Sequence, residues 1–116
     1  MKRPTAKEIR VFFADRNIGK AYRKLAKSDD TNERQLFHWI EEAGDELKKN
    51  PFCGIEVPKR INPKEYARKY SIDNLWKYDL PKGWHLIYTV VSDDIVIMGV
   101  ILEWFDHKQY ERRFGY

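Results

Sequence analysis

Three β-rich runs separated only by short polar turns fill residues 75–104, and no other feature of the chain restricts its fold as much. LWKYDL (75–80) stops at Pro81-Lys82-Gly83, WHLIYTVV (84–91) stops at Ser92-Asp93-Asp94, and IVIMGVILEW (95–104) follows. Turns this short join antiparallel neighbours, so the spacing predicts a three-strand meander.

The first half reads differently. Ile9, Val11 and Phe13 alternate with Arg10 and Phe12, which predicts a short strand; the rival is a helix started by a capping box at Thr5 and Glu8. Ile18, Tyr22 and Leu25 then recur at near-helical spacing, and the SDDTN cluster (28–32) breaks that run and offers N-caps. Leu36, Ile40, Ala43 and Leu47 predict a longer helix ended by Asn50-Pro51. Residues 52–74 lack sustained periodicity, although Asn62-Pro63 suggests an N-cap and first-turn proline opening a short helix over 63–70. The expected fold is one α+β domain spanning residues 1–116: an N-terminal strand, a two-helix hairpin, then the meander, with the helices packed on one sheet face.

That layout leaves the other face partly open and polar. His85 alternates with Ile87 and Thr89, opposite Leu86 and Tyr88, and Lys77 points away from Trp76 and Tyr78 in the preceding run. The chain then finishes its most apolar run and enters FDHKQYERRFGY (105–116). If this tail lies on the polar face, His107, Lys108 and Tyr110 converge on His85. Imidazoles exchange protons near neutral pH, and cations neutralise the charge that builds on a phosphoryl group in flight. Cleavage of RNA by its own 2′-hydroxyl needs those parts and no metal or cofactor. Asp106 reads as the cap of a helical turn in which Tyr110 and Phe114 pack, and His38 as structural or solvent-facing.

Charge agrees with an anionic partner. The net charge is +4, and residues 59–69 hold five cations (Lys59, Arg60, Lys64, Arg68, Lys69) against the single anion Glu65. The single Cys53 excludes an intramolecular disulfide, fits a reducing compartment and reads as a small semi-buried residue. The three histidines follow no metal-binding spacing. No apolar run is long enough to cross a bilayer and the N-terminus lacks a signal-length apolar stretch, so a soluble, cytoplasmic protein is expected.

The element order, the stretch LWKYDLPKGWHLIYTVV (75–91) and the ending DHKQYERRF (106–114) resemble the RelE/ParE toxin superfamily, in particular its RelE-like mRNA-cleaving branch. The resemblance implies the toxin of a type II toxin–antitoxin pair: an mRNA interferase that enters the ribosomal A site, cuts mRNA and inhibits translation. It also implies a cognate antitoxin as partner, beside ribosome and mRNA. His85 stands where the family usually places a phosphate-contacting arginine. Lys108 falls near a cation that stabilises developing charge, and His107 and Tyr110 fall near acid–base or base-stacking positions. Lys59 and Arg60 resemble RNA-binding residues, with Lys77, Arg112 and Arg113 as further RNA or antitoxin contacts. The family's tyrosine comes one residue later than Tyr110, and the 52–74 segment is longer than in compact members. Two other readings share the scaffold: a ParE-like gyrase inhibitor that cleaves nothing, and a catalytically degenerate module that binds RNA or a partner.

Overall fold

The computed structural model describes residues 7–93 and 95–115. The capping-box helix at Thr5 would begin outside these residues, but over the described part the N-terminal segment is a strand, β1 (Glu8–Phe13). Helices α1 (Arg16–Ala26) and α2 (Thr31–Lys49) follow, capped at their N-termini by the side chains of Asp15 and Asp30. After α2 come a two-residue strand β2 (Ile55–Glu56), a single 3₁₀ turn at Lys59–Ile61 and helix α3 (Lys64–Tyr70). Strands β3 (Trp76–Asp79), β4 (His85–Ser92) and β5 (Val96–Phe105) form the meander, and helix α4 (His107–Phe114) closes the described chain. Among these helices none is long and apolar enough to cross a membrane.

The sheet is larger than the expected meander. Its order is β1-β5-β4-β3-β2, with β1 parallel to β5 and the other neighbours antiparallel. The three-strand expectation therefore covers only part of a five-stranded mixed sheet. A parallel pairing across about eighty residues of intervening chain leaves no local signal, because parallel neighbours need a long crossover instead of a turn.

The expectation of helices on one face is corrected as well. On one face α1 and α2 bury Leu25, Leu36, Ile40, Ala43 and Leu47 against Leu86, Tyr88, Val90 and Ile101. On the other, α3 and α4 bring Tyr66, Tyr110 and Phe114 onto Ile87, Leu102 and Phe105. β4 is thus covered on both sides over its first six residues. A β-bulge lies opposite Ile87 and Tyr88: Ile87 pairs with Glu103, Tyr88 with Ile101, and Leu102 is the extra residue. Both Leu102 and Glu103 consequently serve the α3/α4 face, one in its core and the other bonding Tyr66 and Arg113.

The segment between α2 and β2 is fastened to the sheet at Gly54 and at Tyr88. Gly54 lets the chain leaving α2 run against the sheet, since a β-carbon there would meet the Lys77 carbonyl oxygen at 2.5 Å. Its N–H donates to the Tyr88 hydroxyl at 3.1 Å, and that hydroxyl donates to the Pro51 carbonyl at 2.8 Å. The expected Asn62 cap is not made: Pro63 occupies the capping position and no side chain caps α3. Cys53 is exposed instead of semi-buried.

Asp15 ties the two layers together. Its carboxylate accepts from Ile18 N at 3.0 Å and from the Tyr70 hydroxyl at 3.0 Å, and lies 3.8 Å from Lys69 Nζ. The backbone N–H of Ile18 contributes most to holding this carboxyl below its ordinary range, with Tyr70 and Lys69 adding to it. Because the folded value is depressed, the stabilisation is complete above the ordinary carboxylate range and is lost as pH falls through the depressed value. Asp15→Ala is expected to cost about 1–2 kcal/mol at neutral pH. In acid the difference from wild type should shrink, which urea unfolding at the two pH values measures.

Candidate active site

β4 carries two buried polar side chains, Thr89 and His85. Thr89 is satisfied structurally, its hydroxyl donating to the Asn74 carbonyl at 2.7 Å. His85 is different, because both ring nitrogens meet ionisable groups. The β3–β4 hairpin is symmetric about Lys82, so Asp79 pairs with His85 in register. Asp79 Oδ1 lies 2.8 Å from His85 Nδ1. On the other side His85 Nε2 lies 3.1 Å from His107 Nδ1, at the first turn of α4. His107 Nε2 in turn lies 3.0 Å from Glu111 Oε1, one helical turn on. A carboxylate–imidazole–imidazole–carboxylate chain thus runs from β3 through β4 to the surface of α4.

Burial peaks at His85, for both carboxylates at the ends of this chain are about half exposed. The His85 side chain is 8% exposed and that of His107 58% exposed, so an incoming molecule reaches His107 and not His85. Tyr110 lies beneath them, 4% exposed, its ring centroid 4.2 Å from that of His85 and 4.6 Å from that of Phe114. So buried a ring supports His85 and has no face for a nucleobase. Lys77 Nζ sits 5.1 Å from the Tyr110 ring centroid and 3.5 Å from Asp79 Oδ1, so Asp79 lies between an imidazole and an ammonium.

The turn before β4 brings the two histidines within reach. Lys82 and Gly83 both adopt positive φ, at 57° and 77°. A β-carbon on Gly83 would lie 3.3 Å from the His107 β-carbon, so glycine lets the turn approach α4. Lys82 is a non-glycine residue held in the left-handed region, and it is exposed on this same turn.

Of the residues singled out from sequence, His85, His107, Tyr110 and Lys77 come together. Helical phase separates the rest of the tail: positions 107, 110, 111 and 114 face the sheet or its edge, whereas Lys108 and Arg112 are exposed. Arg113 takes the other flank of α4, with Nη1 2.7 Å from Glu103 Oε2 and Nε 3.3 Å from Glu65 Oε1. Tyr66 donates to the same Glu103 oxygen at 2.5 Å, and burial with this carboxylate pushes its hydroxyl far above the ordinary range. Arg113 therefore clamps α4 to α3 and β5. Arg112 borders a neighbouring cleft of about 360 Å³ that Glu65, Glu103 and Gln109 also line. Lys59 and Arg60 are exposed in the 3₁₀ turn and make no contact with the histidine chain.

Sequence reasoning missed Asp79, Glu111 and Lys82. Hairpin symmetry about Lys82 pairs 79 with 85, and the i, i+4 spacing of His107 and Glu111 is visible as soon as a helix is assigned there. Among the described residues no three His, Cys, Asp or Glu side chains converge as metal ligands. The two imidazoles direct nitrogens at each other instead of at a common point. Compared with protein-family models, with curated proteins and with solved structures, the chain matches none.

Proposed function

We propose that this chain is an mRNA endonuclease of the RelE-like type, the toxin of a toxin–antitoxin pair that cuts mRNA in the ribosomal A site. The observation that carries the reading is the His85–His107 contact at 3.1 Å, with a carboxylate on each outer nitrogen and, of the two imidazoles, only His107 open to solvent. A buried imidazole backing an exposed one is an arrangement for proton transfer at the surface.

The reaction follows from the parts. The nucleophile is the RNA's own 2′-hydroxyl, which attacks the adjacent phosphorus and gives its proton to water. The bond from phosphorus to the 5′-oxygen breaks, and His107 Nε2–H supplies the proton to that leaving oxygen. The products are a 2′,3′-cyclic phosphate and a 5′-hydroxyl end, and His107 recovers its proton from water. Glu111 holds Nε2 before substrate arrives. An exposed i, i+4 pair of this kind contributes only about 0.3–0.5 kcal/mol, so a phosphate oxygen displaces it readily. Lys82 and Lys108, exposed beside His107 in turn and helix, supply positive charge to the phosphodiester. Lys59, Arg60 and Arg112 extend the basic surface for RNA or for the antitoxin.

Primer extension on mRNA in translating ribosomes tests this, and the expected result is discrete cuts at A-site codons. Intact mRNA together with potent inhibition of gyrase supercoiling would replace the reading with the ParE-like one. The burial of His85 and Tyr110 favours a second reading, a module that binds RNA without cutting it. RNA retained tightly but uncut would establish that one.

A further inference from the structure

We propose that Asp79, His85, His107 and Glu111 act as one protonic unit holding a single extra proton shared between the two imidazoles, with Asp79 and Glu111 as the positioning residues that impose it. The proposal deepens the nuclease reading, on which its catalytic meaning rests, while the proton count itself is read without RNA.

Carboxylates accept and do not donate, so His85 Nδ1 and His107 Nε2 must both carry hydrogen to satisfy the contacts at 2.8 and 3.0 Å. The contact of 3.1 Å between His85 Nε2 and His107 Nδ1 needs one hydrogen between two nitrogens. Three N–H groups over four ring nitrogens are one more than two neutral imidazoles possess. A fourth would set N–H against N–H at the centre; one fewer would set a lone pair against a carboxylate or against another lone pair. The surroundings fit one positive charge. Asp79 and Lys77 face His85 from β3, Tyr110 and Glu111 flank the pair from α4, and Phe105 pairs with His85 in register on β5. The pair is therefore loaded before RNA arrives, and His107 acts as acid without first collecting a proton.

Amide variants give opposite and specific outcomes. In Glu111→Gln the new amide N–H can satisfy a bare His107 Nε2. The pair then needs no extra proton and becomes neutral, with hydrogen on Nδ1 of both rings. In Asp79→Asn the amide satisfies a bare His85 Nδ1, and the neutral pair carries hydrogen on Nε2 of both rings.

The test is ¹⁵N NMR of the imidazoles in the full chain at neutral pH, without RNA, with the amide spectrum confirming the fold of each variant. Wild type should show His85 Nδ1 and His107 Nε2 protonated and the two inner nitrogens at intermediate shifts. The count should fall from three to two in each variant, with opposite tautomers. Two protonated nitrogens in wild type, or one tautomer common to both variants, would overturn the proposal. Because cleavage is measured separately, a wild type that shows the shared proton and cuts no mRNA would sink the nuclease reading alone. Cleavage by a wild type lacking the shared proton would sink this inference alone.

Discussion

His107→Ala is expected to lower mRNA cleavage by about 10²–10⁴-fold, the usual contribution of a positioned general acid. The reason is accessibility as much as chemistry. His85 is sealed between Asp79, Tyr110 and Phe105, whereas more than half of the His107 side chain is exposed and its outer nitrogen lies at the surface. The same exposure makes the variant interpretable. Removing a half-exposed imidazole from the first turn of a helix leaves the core intact, so the fold and its unfolding midpoint should stay close to wild type. Single-turnover cleavage of ribosome-bound mRNA measures the loss. A variant that cuts as fast as wild type would remove His107 from the chemistry and leave it as a surface partner of Glu111.

Tyr110→Ala is expected to fail for a different reason. Tyr110 stands where the family resemblance suggests acid–base work or stacking on a base, yet its ring is buried against His85, Phe105 and Phe114. Truncating a buried aromatic costs about 3–5 kcal/mol, through lost transfer energy and the cavity left behind. That is a large share of the stability of a domain this size, ordinarily about 5–15 kcal/mol in total. The loss should be concentrated in α4, which Tyr110, Phe114, the Arg113 clamp and the His107–His85 contact hold to the sheet. Urea unfolding measures the total, and amide hydrogen exchange should show α4 opening first. If Tyr110→Ala kept wild-type stability and lost only cleavage, the ring would belong to the chemistry after all.

How much of this was legible in the sequence depends on the range of the signal. Alternation set His85 apart from Leu86 and Tyr88, and Lys77 apart from Trp76 and Tyr78, and the period of Leu36, Ile40, Ala43 and Leu47 located α2, because these patterns repeat within a few residues. That Lys77 and His85 share a face needed the β3–β4 register. β2 has only two residues and no period to detect. The parallel β1–β5 pairing and the bulge at Leu102 depend on partners remote in the chain, so nothing local announces them. The tail shows both limits at once. Its composition pointed to His107, Lys108 and Tyr110 together, but helical phase turns Lys108 outward and Tyr110 inward. Only His107 stands between core and solvent. Asp79 went unnoticed as a partner because a pairing register had to be known first, whereas the i, i+4 spacing of His107 and Glu111 was already within the helical turn expected after Asp106 and was overlooked.

The central claim is that this histidine pair transfers a proton to a leaving 5′-oxygen while RNA attacks itself. End-group analysis of mRNA cut on ribosomes tests it most directly, with wild type beside His107→Ala. Upstream fragments ending in 2′,3′-cyclic phosphate, downstream fragments beginning with 5′-hydroxyl, and the loss of both with His107→Ala are the predicted result. Ends bearing a 3′-hydroxyl and a 5′-phosphate, or cuts that persist undiminished without His107, would contradict it.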